Sequence, residues 1–137
     1  MLGLFKSKKK TCQRKILVVD DEPDLISTVR YRLEFARCEV VTAANGKEGL
    51  ERAASEKPDL ILLDTSMPVM NGHEMLERLR NDPDLKDIPV LMLTALSEAK
   101  DIAAARAHGV VDYITKPFDF AELMERITSI LGNQEVK

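Results

Sequence analysis

The chain has 137 residues and a mass of 15.4 kDa, enough for one domain with its own core and no dependence on a disulfide or metal staple. Hydrophobic residues are 45% and charged residues 31%; this excludes a disordered chain, and no apolar run approaches the roughly 18 residues of a membrane span. Twenty basic and 23 acidic groups give a net charge of −3. Lys6, Lys8, Lys9, Lys10, Arg14 and Lys15 all fall near the start, so the body is acidic and no direct nucleic-acid contact is expected.

Residues 1–13 read as a basic tail outside the folded unit. Met1–Phe5 precedes the lysines, the reverse of a secretory signal. Leu2 stands where myristoylation needs glycine. Two readings of the tail stay open: a solvated segment, or a weak membrane contact through Leu2, Leu4 and Phe5 with the lysines on anionic head groups. Cys12 and Cys38 lack redox or metal spacing and read as reduced thiols, in keeping with a cytoplasmic protein.

From residue 14 the local period alternates. Ile16–Val19 is a β-branched run ending in Asp20-Asp21. Pro23 suits the first turn of a helix whose apolar positions (Leu25, Ile26, Val29, Leu33) run to about residue 37. Glu39–Ala43 reads as a strand. Asn45 can cap a helix over 46–55. Leu60–Leu63, apolar throughout, reads as a strand covered on both faces. A loop over Thr65–Gly72 leads to a helical stripe at Met75, Leu76 and Leu79, and Asn81-Asp82-Pro83 is turn chemistry. Ile88–Leu93 is a fourth strand. Ser97 can cap a helix over 98–107 that Gly109 stops. Val110–Ile114 is a fifth strand, and Asp119 can cap a last helix that Gly132 ends. Five βα units imply a parallel sheet with helices on both faces and a functional crevice at the carboxyl ends of the strands.

The polar residues collect on that rim. Asp20-Asp21 follow the first strand, Asp64 the third, Thr94 the fourth and Lys116-Pro117 the fifth. Three converging carboxylates call for a cation, and an oxygen-only donor set suits Mg²⁺ rather than zinc. A carboxylate beside such an ion can attack a phosphoryl group in line. The pattern assigns Asp64 as nucleophile, Asp20 and Asp21 as metal holders, Lys116 as the cation on the phosphoryl oxygens and Thr94 as a hydrogen-bond donor to them. A phosphohydrolase is disfavoured, because Ser66 stands where an acid/base carboxylate would be needed.

Residues 14–132 resemble the receiver domain of two-component response regulators. The matching motifs are Ile16–Glu22, Leu60–Asp64, Met67-Pro68-Val69-Met70-Asn71-Gly72, Val90–Ala95 and Asp112–Phe118. The resemblance implies an α/β flavodoxin-like (βα)5 sandwich, its five-stranded parallel sheet ordered 2-1-3-4-5. It implies Mg²⁺ held by Asp21, Asp64 and the backbone carbonyl of Ser66, with Asp20 reaching the ion through water, and a cis Lys116–Pro117 bond. It also implies a phospho-acceptor rather than an enzyme. A sensor histidine kinase or histidine phosphotransfer protein donates to Asp64, and Thr94 and Tyr113 act as a switch. The fourth helix, fifth strand and fifth helix would then present an altered face to a downstream protein or in a phosphorylation-dependent homodimer. Leu96, apolar two residues after Thr94, hints at a slowly hydrolysed phosphoryl group. With only residues 133–137 after Gly132, a single-domain regulator is expected. The alternative is an interaction module of this fold that signals without phosphorylation.

Overall fold

The computed structural model describes residues 14–95, 106–107 and 109–135. Among these the elements are β1 (Lys15–Val19), α1 (Pro23–Phe35), β2 (Glu39–Ala43), α2 (Gly46–Glu56), β3 (Leu60–Asp64), α3 (Gly72–Arg80), β4 (Val90–Ala95), β5 (Asp112–Lys116) and a last helix (Phe120–Glu135). All strand pairs are parallel and the sheet order is β2-β1-β3-β4-β5, the expected topology.

Both faces of the sheet are buried, which is why its central strands carry apolar residues without interruption. Leu17, Val19, Ile61 and Leu63 face one cluster, completed by Met75, Leu76 and Leu79 of α3. Ile16, Val18, Leu60 and Leu62 face the other, completed by Val29 and Leu33 of α1 and by Leu123, Ile127 and Leu131 of the last helix. The period of two along each strand thus splits one apolar run between two cores.

The helix ends follow local chemistry. Pro23 opens α1. The Asn45 side chain accepts from the Glu48 N–H at 2.9 Å at the start of α2, and Asp119 accepts from the Glu122 N–H at 2.8 Å. No glycine ends α1; Arg37 takes the left-handed conformation there instead, at φ 70°. Gly109 has φ 78° and donates its N–H to the Arg106 carbonyl, as its predicted role as a stop requires.

Three boundaries differ from expectation. β4 begins at Val90, not Ile88, because Pro89 has no N–H to donate and contributes only its carbonyl, which accepts from Ile61. β5 runs over Asp112–Lys116 rather than Val110–Ile114, in register with Leu91–Ala95. Its limits are set by the β4 ladder, not by its own apolar content, so Lys116 belongs to the strand. The last helix passes through Gly132 to Glu135; a glycine weakens a helix by about 1 kcal/mol but does not oblige it to stop. The predicted helix over 98–107 with its Ser97 cap, Leu96, Cys12 and the tail over 1–13 lie outside the described residues, apart from 106 and 107, which are helical. Cys38 is buried. No helix among the described residues is long and apolar enough to cross a membrane.

Candidate functional site

The parallel register carries β1, β3, β4 and β5 to one common edge. Val19 pairs with Leu63, Asp64 with Leu93 and Ala95 with Lys116, so residues ending these strands must meet. Asp20 is fully buried just past β1, and Asp64 is 5% exposed at the end of β3. Asp21 is exposed. Carboxylate oxygens of Asp20, Asp21 and Asp64 all lie within 4.8 Å of one another.

Lys116 closes the site from the end of β5, next to the cis Lys116–Pro117 bond. Its Nζ donates to Asp20 Oδ2 at 2.8 Å and stands 3.3 Å from Asp64 Oδ1 and 3.5 Å from Glu22 Oε1. Burial by itself would lower the pKa of this ammonium. The hydrogen bond to Asp20 and the charges of Asp20, Asp64 and Glu22 outweigh burial and hold it above its ordinary value. Asp64 moves the other way for a carboxyl. Burial first, and the Asp20 carboxylate second, push it from 3.8 to about 6, against the pull of Lys116 and the Ser66 N–H.

Backbone detail shapes the rest of the pocket. The Glu22 N–H donates to Asp20 Oδ1 at 2.9 Å, fixing the carboxylate that Lys116 grips. The Ser66 N–H approaches Asp64 Oδ1 at 3.4 Å. The loop after β3 carries Val69 in the left-handed region at φ 69°, with its side chain exposed. It then turns into α3 through an Asn71–Glu74 capping box. Gly72 is obligatory there. A Cβ at this position would collide with the carbonyl oxygen of Asp64 itself, so α3 can begin this close to the acceptor only without a side chain.

Thr94 is buried on β4, beside Thr115 and one position from the Ala95–Lys116 pair. Tyr113 is half-buried on β5, packed at the edge of the core. The guanidinium of Arg106 lies 5.1 Å from its ring centroid, and Arg126 donates to its carbonyl at 2.6 Å. Thus Asp20, Asp21, Asp64, Ser66, Thr94 and Lys116 gather on the predicted rim, and Tyr113 lies three residues before Lys116 on β5. Two further contributors sit inside the matching motifs without an assigned role there. Glu22 completes the acidic run Asp20-Asp21-Glu22 and reaches Lys116, and Gly72 grants close approach. The Asn71-x-x-Glu74 spacing that seats α3 is a further signal that the sequence carries.

The donor set fits a hard divalent ion. It offers three oxygen carboxylates, one of them open to solvent, with a cation opposite to limit their mutual repulsion. Asp64 thus presents a carboxylate oxygen with the Lys116 ammonium 3.3 Å away.

The profile of the response regulator receiver domain matches residues 16–128. The alkaline phosphatase synthesis transcriptional regulatory protein PhoP of Bacillus subtilis is 42% identical over 123 residues, which is 90% of this chain and 50% of that protein. Among solved structures, the chemotaxis protein CheY4 of Vibrio cholerae superposes with a TM-score of 0.81 at 34% identity, covering 86% of this chain and 98% of that one. The receiver domain of the sensor histidine kinase PA1611 of Pseudomonas aeruginosa, described with a magnesium ion coordinated in its active site cleft, has a TM-score of 0.79. It is 28% identical and covers 87% of this chain and 98% of that one. This chain spans about half the length of the transcriptional regulators it matches.

Proposed function

The chain belongs to the response regulator receiver domain family, and on that premise we propose that Asp64 accepts a phosphoryl group from a phosphohistidine. The donor is a sensor histidine kinase or a histidine phosphotransfer protein. The observation that carries the reading is the placement of Lys116 Nζ between Asp20 Oδ2 at 2.8 Å and Asp64 Oδ1 at 3.3 Å. A cation so held already stands where charge appears when the acceptor is esterified.

An Asp64 oxygen forms the new O–P bond as the N–P bond to the donor imidazole breaks. The imidazole nitrogen leaves with the electron pair and takes a proton from water. Asp20, Asp21 and Asp64 would hold Mg²⁺, with the Ser66 carbonyl as a further ligand. Bound magnesium supplies positive charge against the phosphoryl oxygens and keeps Asp64 ionised. Lys116 exchanges part of its contact with Asp20 for the phosphoryl oxygens. The Thr94 hydroxyl donates to them, and Tyr113 follows by turning inward.

The output is a changed face around β5 and the last helix, read by a partner protein or by a second phosphorylated copy. The chain turns over no separate substrate, promoting only its own phosphorylation and dephosphorylation, and it works in the cytoplasm. Incubation with acetyl phosphate tests the reading. Mass spectrometry of the intact protein should show one added phosphoryl group with Mg²⁺ and none after chelation or in Asp64→Ala. A gain that survives Asp64→Ala contradicts it.

A further inference from the structure

Two concavities meet on the outer side of the last helix. The smaller, about 190 Å³, lies at the foot of the sheet, where Arg14, Ala36 and Cys38 face Met124, Ile127 and Thr128. The larger, about 740 Å³, passes over Asp119, Glu122, Glu125 and Ser129. They share Met124 and Thr128. The result is one track, apolar at the end that opens beside Arg14 and acidic toward the start of the helix.

Residues 1–13 enter the fold at Arg14, at the apolar end of this track. They contain Lys6, Lys8, Lys9 and Lys10 and no acid. The lengths agree. An extended chain advances about 3.3 Å per residue, which sets Lys10 to Lys6 roughly 13–26 Å from Arg14. A helix rises 1.5 Å per residue, which sets Glu125, Glu122 and Asp119 about 10–20 Å from the level of Gly132, which lines the smaller concavity together with Arg14. Basic and acidic groups therefore fall at matching distances from a common origin.

We propose that the basic segment of this chain docks in cis along the last helix, with Thr11–Gln13 in the apolar end and its lysines against Asp119, Glu122 and Glu125. The segment then covers the outer side of the last helix over Met124, Glu125 and Thr128, so a partner that docks on that side must displace it.

Carbodiimide coupling of amines to carboxylates, on the unmodified protein, tests this. An equal mixture of ¹⁴N- and ¹⁵N-labelled chains is coupled at low salt and in 0.5 M NaCl, and cross-linked peptides are identified by mass spectrometry. Links from Lys6–Lys10 to Asp119, Glu122 or Glu125 should exceed those to any other carboxylate at least fivefold. They should be isotopically unmixed and fall severalfold in high salt. Isotopically mixed links would assign the groove to a second copy and overturn the proposal. So would links scattered over the surface, including the case where the protein instead sediments with phosphatidylglycerol vesicles.

Discussion

The Lys116 ammonium lies 2.8 Å from Asp20, a carboxylate with no solvent exposure, and 96 residues separate the two in sequence. Only the parallel register of β1, β3, β4 and β5 brings them together. Asp20 is a buried charge whose cation sits on the far strand of the sheet, so the site and the fold depend on each other.

Removing that cation should be costly. Lys116→Met leaves Asp20 and Asp64 facing one another without it, and losing one partner of a buried pair costs about 3 kcal/mol. Urea denaturation at pH 7 should show a loss of this order, shrinking toward pH 4 as the Asp64 carboxyl protonates. Equal stability at pH 7 would show that Lys116 does not neutralise the pair.

The raised pKa of Asp64 has a defined consequence for stability. Its carboxyl holds its proton more tightly folded than unfolded. The stabilisation is therefore full below about pH 3.8 and is lost as pH rises through about 6. A displacement of this size is worth at most about 3 kcal/mol. In chelator, Asp64→Asn should gain stability relative to the native chain at pH 7 and show no gain at pH 3.5. Magnesium should bind the native chain more tightly as pH rises through 6, because the proton and the ion compete for the same oxygens. Urea denaturation reads the first effect and titration calorimetry the second; pH-independent magnesium affinity would contradict the assignment.

Gly72→Ala tests the close approach of α3 to β3. The new methyl meets the Asp64 carbonyl oxygen, and overpacking of this kind costs about 1–3 kcal/mol. Phosphorylation by acetyl phosphate should slow more than in the control Gly132→Ala. Among the described residues, a Cβ at Gly132 meets only Thr128 Cγ2, at 3.9 Å.

Arg80 ties the end of α3 to two later segments, donating to the carbonyls of Lys86 at 2.9 Å, Ile88 at 3.1 Å and Gly109 at 3.2 Å. Arg80→Ala should cost about 1–3 kcal/mol. Amide hydrogen exchange should rise over residues 81–89 and at 109–111, while α1 keeps its protection. A uniform change would assign Arg80 a general rather than a local role.

Much of this site is written in short polar interruptions of apolar runs. Asp20-Asp21 and Asp64 each terminate a buried strand, and a carboxylate there has nowhere to lie except the sheet edge. The limits of β4 and β5 are less legible, because a ladder begins where both strands can bond. Pro89 and the β4 partner decide that, not hydropathy. The Arg126 contacts to Asp112 at 3.1 Å and to the Tyr113 carbonyl at 2.6 Å span a turn and a helix. No local pattern announces such pairs. Glu22 is visible beside two aspartates, but its reach to Lys116 depends on how α1 leaves the strand.

The claim on which everything else rests is that Asp64 carries the phosphoryl group. Treatment with acetyl phosphate and magnesium, followed by borohydride reduction, converts an aspartyl phosphate to homoserine. Tandem mass spectrometry of the peptide containing Leu60–Ser66 should then find homoserine at position 64 and at no other acid. Homoserine at Asp20 or Asp21, or none at all, would contradict the account.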